Sequence, residues 1–109
     1  MFARMVEAPA KPGKRNEVMT ILKNELAPLL REQKGFVDFV GLGSDTNPLD
    51  GITLAFWTSK NDAEKFYGSQ EYKTILSSKI TPLLEKMTIR TFNVEASTFH
   101  KIEAAVQAA

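Results

Sequence analysis

The chain lacks cysteine altogether and carries a single histidine, His100, in 109 residues. No cysteine means no disulfide staple, no thiolate metal site and no thiol nucleophile. It also suits a reducing compartment. One histidine leaves no Ser-His-Asp set to assemble and no His pair for zinc, and near the chain end it reads as a surface residue. Charge of one sign is lacking too. Lys plus Arg number 14 and Asp plus Glu 13, a net charge of +1, so neither nucleic acid nor an anionic membrane is expected as a partner. No run approaches the roughly 20 apolar residues of a spanning helix. Met1 to Pro12 has no apolar core long enough for a signal peptide. A soluble cytoplasmic protein is the expectation. Metal is not expected, because Asp45, Asn47 and Asp50 have the wrong spacing for a calcium loop and no distal Glu. Gly41-Leu42-Gly43 is followed by no helix N-terminus that could hold a pyrophosphate, so it reads as a twist or bulge in a strand.

What remains is an ordinary globular composition, 43% hydrophobic and 25% charged, of a length that suits one domain over residues 1–109. Phe2 to Glu7 predicts a strand, ended by Pro9 and Pro12-Gly13. From Lys14 the period becomes helical, with Val18, Leu22, Leu26 and Leu29 or Leu30 on one stripe. Pro28 is expected to kink or end that helix, and Gly35 to cap it in the left-handed region. Phe36 to Gly43 and Ile52 to Trp57 predict two strands around a loop at Asp45 to Gly51, hence an antiparallel hairpin. Ser59 or Asn61 can cap the second helix, and Ser59-x-x-Asp62 resembles a capping box. Gly68-Ser69 interrupts that helix, Ser69 can cap a second segment, and Thr81-Pro82 starts a separate last turn. Thr88 to Glu95 predicts the fourth strand. Residues 103–109 read as a fraying tail.

Strand-helix-strand twice over, with right-handed crossovers, gives an α+β, ferredoxin-like βαββαβ fold: an antiparallel four-stranded sheet with both helices on one face. The other face should not be bare. Alternation sends Ile52, Leu54 and Phe56 one way and Thr53, Ala55 and Trp57 the other, with Phe36, Val40 and Leu42 opposed to Val37 and Phe39. Both faces are apolar, and a monomer rarely leaves such a patch in water. A homodimer through the open sheet face is therefore expected. The alternative cover is the C-terminal tail.

Arg4, Asp38 and Arg90 are charges inside strands, which face water at an edge or are paired in a cavity. With the first strand central and the fourth beside it, Arg4 and Arg90 are expected to lie close. They would serve either as ion-pair or interface contacts or as guanidinium groups for an anion. Trp57, Phe66, Tyr67 and Tyr72 cluster around the third strand and second helix. That is a core pattern, but Trp and two phenols also suit a flat aromatic ligand.

The stretch Phe56-Trp57-Thr58-Ser59 through Phe66-Tyr67-Gly68-Ser69 to Tyr72 resembles the signature region of antibiotic biosynthesis monooxygenase domains, of the dimeric α/β-barrel group. A Trp ends the third strand, a polar turn follows, then a helix with a His or aromatic, then Ser and a further aromatic. Trp57, Ser59, Ser69 and Tyr72 occupy that frame, and Gly35-Phe36 also matches. The resemblance spans roughly Phe2 to Val94. It implies a cofactor-independent monooxygenase acting on a small aromatic phenol, quinol or polyketide. The substrate carbanion itself would pass an electron to oxygen, while the protein binds the ring and stabilises the oxyanion. Tyr67, Tyr72 and Arg90 are the catalytic candidates this implies, with Arg4 sharing the charge-stabilising role and Trp57, Phe66 and Arg4 binding substrate. Two departures stand out: Ala55 replaces an acid two positions before the Trp, and Phe66 falls where a His is frequent. Haem-degrading relatives use a His on the second helix and an Asn on the first strand. Here Leu76 or Ile75, and Arg4, stand in those regions, which disfavours that role. A non-catalytic small-molecule-binding or regulatory module on the same scaffold is the competing reading, and an isomerase or decarboxylase the third.

Overall fold

A computed structural model describes residues 1–47 and 51–102. The centre of the loop expected at Asp45 to Gly51, and the tail expected at 103–109, lie outside the described residues. Strand β1 (Phe2–Glu7) leads into helix α1 (Arg15–Ile21). A π-helical turn, Leu22–Leu26, joins α1 to α2 (Ala27–Arg31). The hairpin of β2 (Phe36–Gly43) and β3 (Gly51–Trp57) follows, then α3 (Lys60–Tyr67) and α4 (Gln70–Ile75). A second π turn, Leu76–Ile80, and a 3-10 turn, Thr81–Leu83, lead to β4 (Thr88–Asn93).

Local chemistry accounts for most of these limits. Ser59 Oγ accepts from the Asp62 amide at 3.2 Å and caps α3. Ser69 Oγ accepts from the Tyr72 amide at 3.3 Å and caps α4. Gly35 takes φ +80°, the left-handed geometry that turns the chain from the helix into β2. Pro28 does not end its helix. It lacks the N–H that would bond back one turn, and the wider π turn immediately before it lets the spiral run on to Arg31. The same pairing recurs at Pro82, where a π turn precedes the 3-10 turn.

The sheet runs β2-β3-β1-β4, every pair antiparallel. Helices cover one face, and Trp57 and Leu30 are the largest fully buried side chains beneath them. The segment after β1 is tied to the end of the last helical turn by an Ala10–Leu84 bridge. Register assigns the faces. Phe2, Arg4 and Val6 share the helix-covered side with Trp57, Ala55 and Thr53. Ala3, Met5 and Glu7 share the open side with Phe56, Leu54 and Ile52.

Two expectations need correcting. A bulge between Phe36 and Asp38 breaks the alternation of β2. It carries Phe36 to the helix side, its ring 5.5 Å from Trp57, rather than to the open side with Val40 and Leu42. The bulge lies there, not at Gly41-Leu42-Gly43, which pairs regularly with β3. The second correction concerns Arg4 and Arg90. Arg90 pairs with Met5 and Arg4 with Thr91, so the two arginines occupy opposite faces of the sheet and do not converge.

The open face keeps its apolar side chains, including Leu42 at 49% and Phe92 at 42% exposure. The described part of the C-terminal segment does not shield Phe99, which is 85% exposed.

Candidate functional site

Between the covered side of the sheet and the helices lies a cavity of about 120 Å³. Its floor is Arg4, Val6, Thr53, Ala55 and Phe39 from the strands. Its roof is Val18, Met19, Leu22 and Leu26 from the first helix and Leu76 and Ile80 from the second. Helical spacing explains the roof, since these residues recur one turn apart on the faces turned to the sheet.

Polar groups meet at one end. Tyr67, at the end of α3, and Tyr72, in α4, both line the cavity with Arg4. The Ser69 cap makes the sharp break that turns α4 back and brings the two rings edge to face, 5.0 Å apart. The Arg4 guanidinium lies over the Tyr67 ring at 3.8 Å and donates to Tyr72 Oη at 3.4 Å. Trp57 Nε1–H donates to Tyr67 Oη at 3.2 Å. Each phenolic oxygen therefore already accepts from an N–H, and its own O–H remains to donate.

Burial pushes the Tyr67 phenol above the ordinary tyrosine range. The Trp57 hydrogen bond and the Arg4 charge offset part of that rise, while Tyr72 adds to it. Tyr67 is thus a protonated donor at neutral pH, not a base. No Asp, Glu or His lines the cavity among the described residues, and no cluster of potential metal ligands occurs among them. The arrangement is a small apolar chamber with two hydroxyl donors and a cation at one end. Such an arrangement can hold an oxyanion on a hydrophobic body.

Of the residues singled out from the sequence, Arg4, Tyr67 and Tyr72 come together on this wall. Trp57 and Phe66 do not line the cavity. They stand behind it, Phe66 tilted against Trp57 at 5.6 Å and against Tyr72 at 5.3 Å, and fix the two tyrosines from the rear. Arg90 is on the other face, its guanidinium 5.2 Å from the Phe92 ring. His100 does not line the chamber and meets the Phe99 ring edge to face at 4.8 Å. Sequence reasoning missed Arg15, which also lines the cavity. Its signal is a spacing of three and seven before Val18 and Leu22: a cation at the head of the apolar stripe.

Residues 1–77 match the family model described as antibiotic biosynthesis monooxygenase. Comparison with curated protein sequences gives no match. Solved structures share the fold. SnoaB, a cofactor-independent oxygenase from Streptomyces nogalater, superposes with a TM-score of 0.80 at 12% identity, over 89% of this chain and 95% of that one. A conserved protein from Methanosarcina mazei Go1 gives 0.75 at 22% identity, over 87% and 94%. Rv0793 from Mycobacterium tuberculosis gives 0.75 at 14% identity, over 89% and 97%. At these identities the likeness is one of fold.

Proposed function

Because the chain belongs to the antibiotic biosynthesis monooxygenase family, we propose that it oxygenates a small phenol or quinol without a cofactor. The observation that carries this reading is the meeting of Tyr67, Tyr72 and Arg4 on the wall of an apolar chamber, with Tyr67 Oη held by Trp57 and Tyr72 Oη by Arg4. A phenolic or enolic oxygen seated there meets two O–H groups and a guanidinium, which favour its anion. With no carboxylate or imidazole on the described wall, the substrate loses its proton to solvent as it binds. The anion's ring carbon is electron-rich and gives one electron to O₂. The radical and superoxide join in a C–O bond. The peroxide takes back a proton from solvent, and its O–O bond breaks as the hydrogen on that carbon leaves as a proton, giving a quinone and one water. Electrons balance with O₂ as the sole oxidant. SnoaB, whose fold is shared, is itself described as a cofactor-independent oxygenase.

The cavity volume of about 120 Å³ is close to that of an apolar cavity that takes up benzene. It therefore favours a single-ring substrate over a multi-ring polyketide. Trp57 and Phe66 act by positioning the tyrosines. Arg90 belongs with the open face, which we assign to a homodimer interface, because Val40, Leu54, Phe56 and Phe92 form one apolar surface there. No helix among the described residues is long and apolar enough to cross a membrane.

Oxygen uptake with one-ring quinols and phenols tests the reaction. Turnover is expected, with kcat falling about 10²- to 10³-fold in Tyr72→Phe. No uptake across the set, or full activity in Tyr67→Phe and Tyr72→Phe, would overturn it. The second reading, a binding module without catalysis, is favoured by the missing base. It predicts ligand binding with no oxygen consumed.

A further inference from the structure

The opposite end of the same cavity holds a second cation that the proposed oxidation does not use. Arg15, in the first turn of α1, lines the cavity and is half-buried. The ion pairs among the described residues, Lys14–Glu17, Lys60–Glu64 and Lys79–Glu25, do not include it. The sheet beneath it is rich in glycine. Gly41, Gly43 and Gly51 line this end. A Cβ on Gly43 would collide with the Arg15 guanidinium, and one on Gly41 would meet Met19 Cε at 3.9 Å. Glycine here keeps room for a guanidinium between helix and sheet. Gly41, Leu42 and Gly43 are exposed, whereas Ala55, Trp57 and Tyr72 at the far end are buried. Arg15 therefore stands at the mouth and Arg4 at the closed end.

Arg4 pairs with Ala55 and Gly43 with Gly51. Those two β3 positions are four residues apart, about 13 Å along the strand, and Arg4 and Gly43 belong to the strands on either side of β3. The two arginines thus stem from opposite ends of the apolar chamber. A ligand that meets both carries its phenolic oxygen at one end of an apolar body and a carboxylate at the other. Neither guanidinium has a carboxylate partner among the described residues, and a partly desolvated charge gains most from an anion that supplies one.

We propose that the cavity selects a phenolic acid, whose carboxylate is bound by Arg15 at the mouth while its phenolic oxygen meets Tyr67, Tyr72 and Arg4. This inference rests on the chamber assigned above but not on its oxidation chemistry. Arg15 sets specificity and takes no part in the reaction.

Binding of 3-(4-hydroxyphenyl)propionate and of neutral 4-propylphenol, measured by calorimetry on the intact protein, tests it. The acid should bind roughly tenfold to a hundredfold more tightly than the neutral phenol. The preference should vanish in Arg15→Gln, return in part in Arg15→Lys, and fall in Gly43→Ala, which displaces the guanidinium. Equal binding of the two probes, no binding of either, or a preference untouched by Arg15→Gln would overturn the proposal. Oxygen uptake is read separately. Arg15-dependent binding without uptake would sink the oxygenase reading and leave this one standing. Uptake with neutral phenols preferred would do the reverse.

Discussion

Removing the Tyr67 hydroxyl while keeping its ring isolates one buried polar contact. Trp57 is fully buried, and its Nε1–H donates to Tyr67 Oη at 3.2 Å. Tyr67→Phe preserves the edge-to-face contact with Trp57 at 5.7 Å but leaves the indole N–H with no acceptor. A stranded buried donor costs about 1–3 kcal/mol. Loss of the phenol's own desolvation offsets part of that, so a net destabilisation of about 1–2 kcal/mol is expected. Trp57→Phe costs about 2–4 kcal/mol by removing ring volume from a filled core. In the double variant no donor is stranded. Tyr67→Phe should then cost about 1 kcal/mol less than in the parent, a coupling well outside the ~0.5 kcal/mol scatter of independent sites. Urea unfolding followed by far-UV circular dichroism measures all four proteins, since Trp57 is the only tryptophan and its fluorescence disappears with it. One protein concentration must serve throughout, because a dimer's stability depends on it. Additive effects with unchanged m-values would refute the view that this hydrogen bond holds the tyrosine in place.

The same phenol gives a pH signature. Its folded pKa is raised, so its contribution to stability is fully present below the unfolded value near 10 and is lost as pH rises through the folded pKa. Above pH 10 the parent should lose stability faster than Tyr67→Phe, and parallel pH curves would count against it. Gly35→Ala should destabilise more than Gly13→Ala. Both residues have positive φ, worth about 1–2 kcal/mol to a Cβ, but a Cβ at Gly35 also runs into Asp62 while Gly13 has open space. Equal midpoints in urea would show that the Asp62 contact is irrelevant. Ser69→Ala removes the cap of α4 and should cost about 1 kcal/mol. A thermal midpoint unmoved from the parent's would mean the cap does not hold that turn. Sedimentation should find a dimer at micromolar concentration and a monomer for Leu54→Asp, whose side chain lies on the open face. A monomeric parent would remove the proposed interface.

Much was legible from sequence because it is local. Periodicity gave the strands and helices, Ser59 and Ser69 announced two caps, and Gly35 its left-handed turn. Alternation along each strand makes both sheet faces apolar. Tyr67, Tyr72 and Arg4 were legible as candidates because a polar or aromatic group at an inward position is conspicuous within a single element.

Tertiary structure alone decided what depends on how elements meet. Strand register is a relation between two segments, and it put Met5 rather than Arg4 opposite Arg90. A single extra residue at the β2 bulge carried Phe36 to the other face. The packing of α3 and α4 on the sheet set Trp57 and Phe66 behind the tyrosines instead of beside the cavity. The lie of α1 over the three glycines brought Arg15 to the mouth. Periodicity fixes which side of an element a residue occupies. Which neighbour that side meets, and whether a void remains between them, is settled only when the whole chain packs.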